Sequence, residues 1–199
     1  MKSYELAQLL QEVEEAQNAR KPLVIAIDGP CASGKTTLAL KLKKLYNFVV
    51  IHMDHFFLRP EQRTLERELE VGGNIDYERF NKEVTASIEG GHPIIYRPYN
   101  CKTGNFGDEI KVDNYNYLII EGSYSLHSAI KGNYDKRVFL TVSQELQRER
   151  LKKRFSSGQL NELAMLEQFK TKWIPLENAY FEHFNIMEKC DFILNTNLE

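Results

Sequence analysis

The sequence predicts an α/β fold in which a mostly parallel central sheet lies between two layers of helices. Short apolar runs typical of buried strands alternate with segments whose apolar residues recur at helical spacing, and this alternation is typical of such folds. No Pro-, Gly- or Ser-rich linker and no abrupt change of charge divides the 199 residues. A chain of this length without a linker is expected to form a single domain.

An amphipathic helix is predicted within residues 1–21, and residues 22–199 are expected to form the core of the domain. The apolar positions of this helix are Leu6, Leu9, Leu10 and Val13. Pro22 ends the helix before a continuous apolar run at residues 23–27, which is typical of a strand buried on both faces. A second strand is predicted over residues 48–53.

The second half of the chain follows a segment, residues 59–70, that is too charged for the core. Strands are predicted over residues 94–95, 117–120, 138–142 and 192–194. A helix over residues 77–89 ends at a Gly-Gly pair, and Ser143 is expected to cap another helix that runs to about Arg154. Pro175 should kink or divide a later helical stretch.

The segment after the first predicted strand has the pattern of a phosphate-binding loop, Gly29-Pro30-Cys31-Ala32-Ser33-Gly34-Lys35-Thr36. Its two glycines let the backbone curl so that successive N–H groups point at one anion, helped by the positive end of the following helix. Lys35 can then reach the outer phosphates, and the Thr36 hydroxyl can hold a magnesium ion. The predicted nucleotide-binding residues are Gly29, Pro30, Cys31, Ala32, Ser33, Gly34, Lys35, Thr36, Thr37 and Arg150.

Acidic residues that follow strands are candidates for the chemistry of phosphoryl transfer, because the carboxyl ends of parallel strands line the ligand crevice. Asp54 follows the second strand and is the predicted catalytic base, with a turn-forming or metal-binding role as alternatives. Glu121 follows a buried strand and is predicted to bind Mg²⁺ directly or through water. The predicted metal ligands are therefore Thr36, Glu121 and Asp54.

Charged residues in two predicted helices could either contact a ligand or only stabilise the helix or face solvent. Asp76 and Glu78 lie at the start of a helix, where acids complement the helix dipole, but either could contact a sugar hydroxyl. The helix that ends near Arg154 carries five cations, which form either a solvated face or a clamp on a triphosphate. Arg154 is the predicted clamp, and it is predicted to be catalytic together with Asp54 and Lys35. Arg150 lies one helical turn before Arg154.

Composition excludes several classes of partner. A formal net charge of −2 gives no bulk attraction to nucleic acid or to an anionic membrane, so a small-molecule acceptor is expected. Residues 1–20 lack the apolar core of a signal peptide or membrane span. Three cysteines without metal-site spacing favour a reducing, cytoplasmic compartment, and Cys31 is interpreted as a small loop residue rather than a reactive thiol. The five histidines show no zinc-type spacing, and a homo-oligomer is left open.

These motifs resemble the uridine kinase-like P-loop kinases, in a superfamily that also includes phosphoribulokinase and pantothenate kinase. The resemblance extends from residue 24 to residue 194 and rests on motifs in a fixed order. They are Asp28-Gly29-Pro30-Cys31-Ala32-Ser33-Gly34-Lys35-Thr36-Thr37, Asp54-His55-Phe56-Phe57, Pro98-Tyr99-Asn100, Glu121-Gly122, the helix ending at Arg154, Lys172-Trp173-Ile174-Pro175 and Phe181-Glu182-His183-Phe184. The loop alone is shared by many NTPases, whereas the ordered series is much more specific.

The resemblance implies a P-loop NTPase fold, a three-layer α/β/α sandwich with a short helical lid near residues 154–162. It also implies phosphorylation of a primary hydroxyl, with ATP or GTP and Mg²⁺ as cofactors. Asp54 would be the base, and Arg154 would contact the phosphates. The residues expected near the acceptor are Asp76, Tyr99 and Glu121.

Departures from the family pattern fall on the acceptor side. Phe57 stands where the family usually has tyrosine, Asn100 replaces an aspartate, and Gly104 lies near the place of a base-contacting histidine. After Arg154 the lid lacks the further arginines of a uridine kinase. Polar contacts decide which substrate a site accepts. The expected acceptor is a uridine- or cytidine-like nucleoside or a related sugar-like molecule, with a non-nucleoside alcohol or phosphosugar as the alternative.

Two other classes of protein use the same kind of loop. A nucleotide-driven switch remains an alternative, although the chain lacks the Asn-Lys-x-Asp signature of guanine recognition. A nucleotide-binding module without catalysis is disfavoured, because both Asp54 and Glu121 are present.

Overall fold

The structure is a computed structural model that describes residues 4–16, 21–156 and 162–197. Residues 157–161 of the predicted lid lie outside this part of the chain. The strands in the described residues are β1 (Leu23–Asp28), β2 (Val49–His52), β3 (Ile94–Tyr96), β4 (Tyr99–Asn100), β5 (Asn105–Phe106), β6 (Ile110–Val112), β7 (Tyr117–Glu121), β8 (Lys136–Thr141) and β9 (Phe192–Asn195). Five of them form a parallel sheet in the order β2-β7-β1-β8-β9.

Helices flank this sheet. They are α1 (Tyr4–Glu15), α2 (Lys35–Tyr46), α3 (Leu65–Leu69), α4 (Tyr77–Phe80), α5 (Ala86–Gly90), α6 (Gln144–Phe155), α7 (Glu162–Gln168) and α8 (Ile174–His183). A π-helical turn, Asn81–Thr85, joins α4 to α5, so the predicted helix over residues 77–89 is present with a local change of winding. Within the described residues, no helix combines the length and apolar character that a membrane span needs.

The central sheet is buried on both faces, as its apolar strands predict. Val24 and Ala26 of β1 belong to a core that includes Phe80 of α4 and Tyr180 of α8. Ile25 and Ile27 point to the opposite face, where they join a second core that contains residues of α1 and α2. Because successive residues of a strand face opposite sides of the sheet, β1 contributes side chains to both cores. The three-layer α/β/α arrangement predicted from the sequence is confirmed.

Local features differ from the expectations in three places. Strand β2 ends at His52, and a 3₁₀ turn, Met53–Phe56, carries Asp54 beyond the sheet. The strand predicted over residues 94–95 is present as part of β3. Its partner β6 and the β4–β5 pair are not predicted, because strands of two or three residues give little periodic signal. The helical stretch before Pro175 becomes π-helical over Phe169–Trp173. The ring of a proline excludes the normal bond to the preceding turn, and a wider turn accommodates this loss.

Candidate active site

The phosphate-binding loop connects β1 to α2 and depends on two glycines. Gly29 has φ 140°, and a Cβ added there would lie 2.4 Å from the Leu140 carbonyl oxygen. Gly34 has φ 98° and precedes the first residue of α2. Residues with side chains rarely adopt this backbone conformation, so both positions favour glycine. The loop lies at the carboxyl end of β1, where the predicted site requires it.

Lys35 lies folded against the loop. Its Nζ donates hydrogen bonds to the carbonyl oxygens of Gly29 and Pro30, at 2.7 and 2.8 Å, and lies 3.4 Å from Ser123 Oγ. The residue is only 8% exposed. A buried ammonium group at the mouth of the loop supplies a fixed positive charge, which is what a transferred phosphoryl group needs.

The buried carboxylate of Asp28 supports the loop from the end of β1. It accepts hydrogen bonds from Gly29 N at 2.7 Å, Leu126 N at 3.0 Å and the Tyr180 hydroxyl at 2.8 Å. Burial raises its pKa to about 6, although these three bonds and the charge of Lys35 oppose the rise. Asp28 therefore fixes the start of the loop and the segment that follows β7.

A second buried carboxylate, Glu177 of α8, binds the loop directly. Its Oε2 accepts the Cys31 N–H at 2.8 Å, and its Oε1 accepts the Ser123 hydroxyl at 2.7 Å. Glu177 is 6% exposed. This acid lies in the helix that follows the lid region in the chain, so it connects that helix to the phosphate-binding loop.

The Cys31 thiol is buried. Burial raises its pKa well above the ordinary value of a thiol, and the neighbouring charge of Glu177 adds to the rise. Gln147 of α6 donates to the Cys31 carbonyl oxygen at 2.9 Å. These contacts favour the structural interpretation of Cys31, because a thiol that stays protonated is a poor nucleophile.

Glu121 and Thr36 form the candidate magnesium site. Thr36 Oγ1 donates to Glu121 Oε1 at 3.0 Å, and His52 Nδ1 lies 2.5 Å from the same oxygen. The hydrogen bond to Glu121 raises the pKa of His52, while partial burial opposes that rise. His52 also borders a cleft of about 740 Å³ along the outer edge of β2.

The donor set of this site suits magnesium. A hydroxyl and a carboxylate are hard oxygen ligands, and Mg²⁺ is usually held by one or two carboxylates together with substrate phosphates and water. No group of three or more His, Cys, Asp or Glu side chains could hold a metal ion within residues 4–16, 21–156 and 162–197. Thr36 and Glu121 supply two hard oxygen ligands of the kind that Mg²⁺ accepts.

Asp54 lies in the turn after β2 with its side chain open to solvent. Within the described residues it accepts no hydrogen bond, so its carboxylate is available to a ligand. Desolvation by the surrounding protein raises the pKa of Asp54, and the negative charge of Glu121 adds to the rise. The positive charges that oppose the rise are those of Lys35, Arg154 and His52. These mutual effects place Asp54 in the same electrostatic environment as the loop lysine and the predicted magnesium ligand.

The two predicted arginines of α6 have different surroundings. Arg150 donates to the carbonyl oxygens of Ala32 and Ser33, at 3.2 and 3.3 Å, and to Thr196 Oγ1 at 3.1 Å. It therefore ties the loop to the end of β9. Arg154 is exposed, and its charge acts on the pKa of Asp54. Of the two, Arg154 is the one whose side chain remains open to a ligand.

Asp76 and Tyr99 lie against the turn that carries Asp54, but both are buried. Asp76 caps α4 by accepting Arg79 N at 3.0 Å, and it also accepts Gln62 Nε2 at 2.8 Å. Its backbone N–H donates to the Phe56 carbonyl oxygen at 2.7 Å. The ring of Tyr99 packs against Phe106 with a centroid distance of 5.5 Å. Both side chains are buried beside this turn, where they support it.

Comparisons with known sequences give a partial match. No family model matches the chain. Uridine-cytidine kinase D of Dictyostelium discoideum is 24% identical over 173 residues, which are 86% of this chain and 34% of that protein. A tRNA dimethylallyltransferase of Synechococcus sp. (strain CC9311) is 37% identical over 65 residues, 33% of this chain and 19% of that protein. The chain therefore spans about a third or less of the length of these curated relatives.

Comparisons with solved structures cover nearly the whole chain. A protein provisionally named a uridine kinase, from Bacillus stearothermophilus, has a TM-score of 0.68 at 19% identity, over 94% of this chain and 96% of its own. A protein provisionally named a fructose transport system kinase, from Silicibacter sp. TM1040, has a TM-score of 0.69 at 23% identity, over 94% and 98%. The chain has the fold of P-loop kinases. The predicted resemblance to the uridine kinase-like members is confirmed.

Several residues that build this candidate site are not among the predicted ones. His52, Ser123 and Glu177 contact predicted site residues through hydrogen bonds. Glu177 has a weak sequence signal, since it lies three residues before the buried Tyr180 on one face of α8. Ser123 and His52 give no signal, because a serine after a strand and a histidine near a strand end are common in any fold.

Proposed function

We propose that the protein is a magnesium-dependent kinase that transfers the γ-phosphoryl group of ATP or GTP to a hydroxyl of a small molecule. One observation carries this proposal. An unpartnered carboxylate, a buried lysine and a hydroxyl–carboxylate pair meet at the carboxyl ends of neighbouring parallel strands: Asp54, Lys35, Thr36 and Glu121. Kinases need a base, a fixed cation and a magnesium site in this arrangement.

In the proposed step, the acceptor hydroxyl oxygen forms a bond to the γ-phosphorus. The bond between that phosphorus and the bridging oxygen breaks, the nucleoside diphosphate leaves with the electron pair, and the hydroxyl proton passes to Asp54. The raised pKa of Asp54 favours this proton transfer. Lys35 neutralises the outer phosphate charge, and Mg²⁺, when bound at Thr36 and Glu121, would add to that neutralisation.

The remaining predicted nucleotide contacts belong to the same proposal. The backbone N–H groups of the loop and of the first turn of α2 hold the phosphates. Arg154 contacts the transferring group from the lid side, and Arg150 acts by holding the loop carbonyls in place. A small-molecule acceptor accords with the net charge of −2. A cytoplasmic location accords with the three free cysteines.

The acceptor is proposed to be a nucleoside or a sugar-like molecule. The resemblance to Uridine-cytidine kinase D supports a nucleoside, and the fold shared with a provisionally named fructose transport system kinase supports a sugar-like alcohol. In either case a ribose- or hexose-like hydroxyl must reach Asp54.

An acceptor screen tests the proposal. Purified protein is incubated with ATP or GTP and Mg²⁺ and with nucleosides, sugars, phosphosugars or pantothenate-like alcohols, and both diphosphate release and product mass are measured. A kinase releases diphosphate only with its acceptor, which gains the mass of one phosphoryl group. Slow hydrolysis at one rate with every acceptor would instead support a nucleotide-driven switch.

A further inference from the structure

Several arginines lie on the proposed acceptor side of the site. The guanidinium carbons of Arg59, Arg79 and Arg97 lie 5.8, 5.4 and 5.8 Å from the centroid of one ring, that of Phe106. Phe106 packs on Tyr99, so this group lies at the residues expected near the acceptor. Arg63 follows Arg59 by four residues and donates to the carbonyl oxygen of Leu58, next to Arg59. We call Arg59, Arg63, Arg79 and Arg97 the arginine cluster.

The cluster is joined to the turn that carries Asp54. Arg79 donates a hydrogen bond to the carbonyl oxygen of His55, and its guanidinium carbon lies 4.2 Å from the Phe56 ring centroid. Arg79 also donates to the Arg97 carbonyl oxygen at 3.0 Å. Arg79 therefore links the backbone of Arg97 to the turn that carries the proposed catalytic base.

Two members of the cluster have their charges balanced within the protein. Arg79 pairs with Asp76 at 3.7 Å and with Glu83 at 3.2 Å. Arg59 pairs with Glu61, and these two groups are 3.0 Å apart. Asp76 also accepts a hydrogen bond from Gln62 Nε2 at 2.8 Å.

The other two members have no carboxylate partner among the described residues. Arg97 donates to the Gly107 carbonyl oxygen at 2.9 Å, and Arg63 donates to the Leu58 carbonyl oxygen at 3.2 Å. Both side chains are exposed. Arg63 directly follows Gln62, whose side chain donates to Asp76, and the Asp76 N–H donates to the carbonyl oxygen of Phe56 in the turn of Asp54. Arg63 therefore belongs to a segment that packs beside that turn.

Several guanidinium groups gathered at one opening repel one another, and an oxyanion relieves that repulsion through charge-assisted hydrogen bonds. We propose that the acceptor carries an anionic group, a phosphate or a carboxylate, which Arg63 and Arg97 bind beside Asp54. This inference rests on the proposed function and narrows its acceptor to an anionic alcohol, such as a phosphosugar. A neutral nucleoside would leave both charges without a partner.

Calorimetry with matched ligand pairs tests the inference independently of turnover. The protein is saturated with Mg²⁺ and a non-hydrolysable ATP analogue, which occupies the phosphate-binding loop. It is then titrated with ribose 5-phosphate or ribose, glycerol 3-phosphate or glycerol, and pantothenate or its neutral alcohol. The first two pairs test a phosphate and the third tests a carboxylate. We expect at least one anionic member to bind about tenfold or more tightly than its neutral counterpart.

Variants assign the effect to the two arginines. Arg63→Gln and Arg97→Gln should each weaken binding of the anionic member about tenfold and leave the neutral member and the ATP analogue unaffected. Lys111→Gln is the matched control, because it removes one charge from an exposed ion pair with Asp113 on neighbouring β6. Equal binding within every pair, or equal losses in the control, would overturn the inference. Failure of the wild type to bind the ATP analogue would overturn the proposed function, and the inference with it.

Discussion

The side chain of Glu177, in α8, accepts the backbone N–H of Cys31 in the phosphate-binding loop at 2.8 Å. These residues are 146 positions apart in the chain. Both are buried, so the hydrogen bond is shielded from water and fixes the loop relative to the helix that follows the lid region.

Glu177→Ala should weaken binding of Mg-ATP about tenfold or more and leave kcat with saturating nucleotide nearly unchanged. The variant leaves a buried N–H and the Ser123 hydroxyl without their acceptor, and an unpaired buried donor is costly. Calorimetry with the ATP analogue and steady-state kinetics measure the two effects separately.

Glu177→Gln should restore most of that binding. The amide oxygen can accept the Cys31 N–H, and the amide nitrogen can donate to Ser123, whose hydroxyl then donates to the Gly29 carbonyl oxygen at 3.1 Å. The control is Glu182→Ala, which removes an exposed acid from the same helix. If the Ala and Gln variants bind nucleotide equally well, Glu177 has no positioning role.

Lys35→Ala should reduce triphosphate turnover by at least ~10²-fold, because the transferring group loses a fixed positive charge in a shielded position. Diphosphate release measured with the acceptor identified by the screen checks this. Lys41→Ala, an exposed position on the same helix, is the control for loss of charge. Turnover near the wild-type value in the Lys35 variant would remove this residue from the proposed site.

Asp54→Asn should lower kcat by about 10²–10⁴-fold and leave nucleotide affinity close to that of the wild type. The amide keeps the size of the side chain but cannot take the acceptor proton. The measurements are kcat with saturating substrates and the dissociation constant of the ATP analogue with Mg²⁺. If affinity and kcat fall together, Asp54 acts mainly as a metal ligand. Asp108→Asn, an exposed acid outside the turn, is the control.

The sequence predicts the parts of this molecule that depend on local pattern. The apolar run of β1, the glycines of the loop and the spacing of α2 indicate the sheet, the loop and the position of Lys35 together. The pairing of Thr36 with Glu121 could also be expected, because Thr36 lies after β1 and Glu121 ends β7, and these two strands are neighbours. These features can be predicted because each depends on a few residues that are close together in the sequence.

Contacts between distant segments are not predictable in the same way. Glu177 and Ser123 meet only because α8 packs over the segment after β7, and the arginine cluster forms only when the β4–β5 pair lies against the turn of Asp54. No single segment carries a pattern for either contact. Asp76 shows the limit most clearly, since its sequence position allows a helix cap or a ligand contact, and its cap bond with Arg79 N is visible only in the structure.

The buried carboxylate of Asp28 should make stability depend on pH. Its pKa in the folded protein, about 6, is higher than the ordinary value of 3.8. The unfolded chain therefore loses this proton at a lower pH than the folded protein, so the folded state is progressively destabilised as the pH rises from about 4 to about 6. The shift corresponds to about 2–3 kcal/mol, and the loss is complete above that range.

Asp28→Asn removes this titration and should change the pH dependence of stability. Urea unfolding at several pH values between 4 and 7 gives the free energy of unfolding of both proteins. We expect the wild type to lose stability relative to the variant as the pH rises through this range, whatever the constant cost of the substitution. Asp113→Asn, at an exposed acid, should run parallel to the wild type. If the Asp28 variant also runs parallel to the wild type, the carboxyl group is ionised at the same pH in the folded and unfolded states.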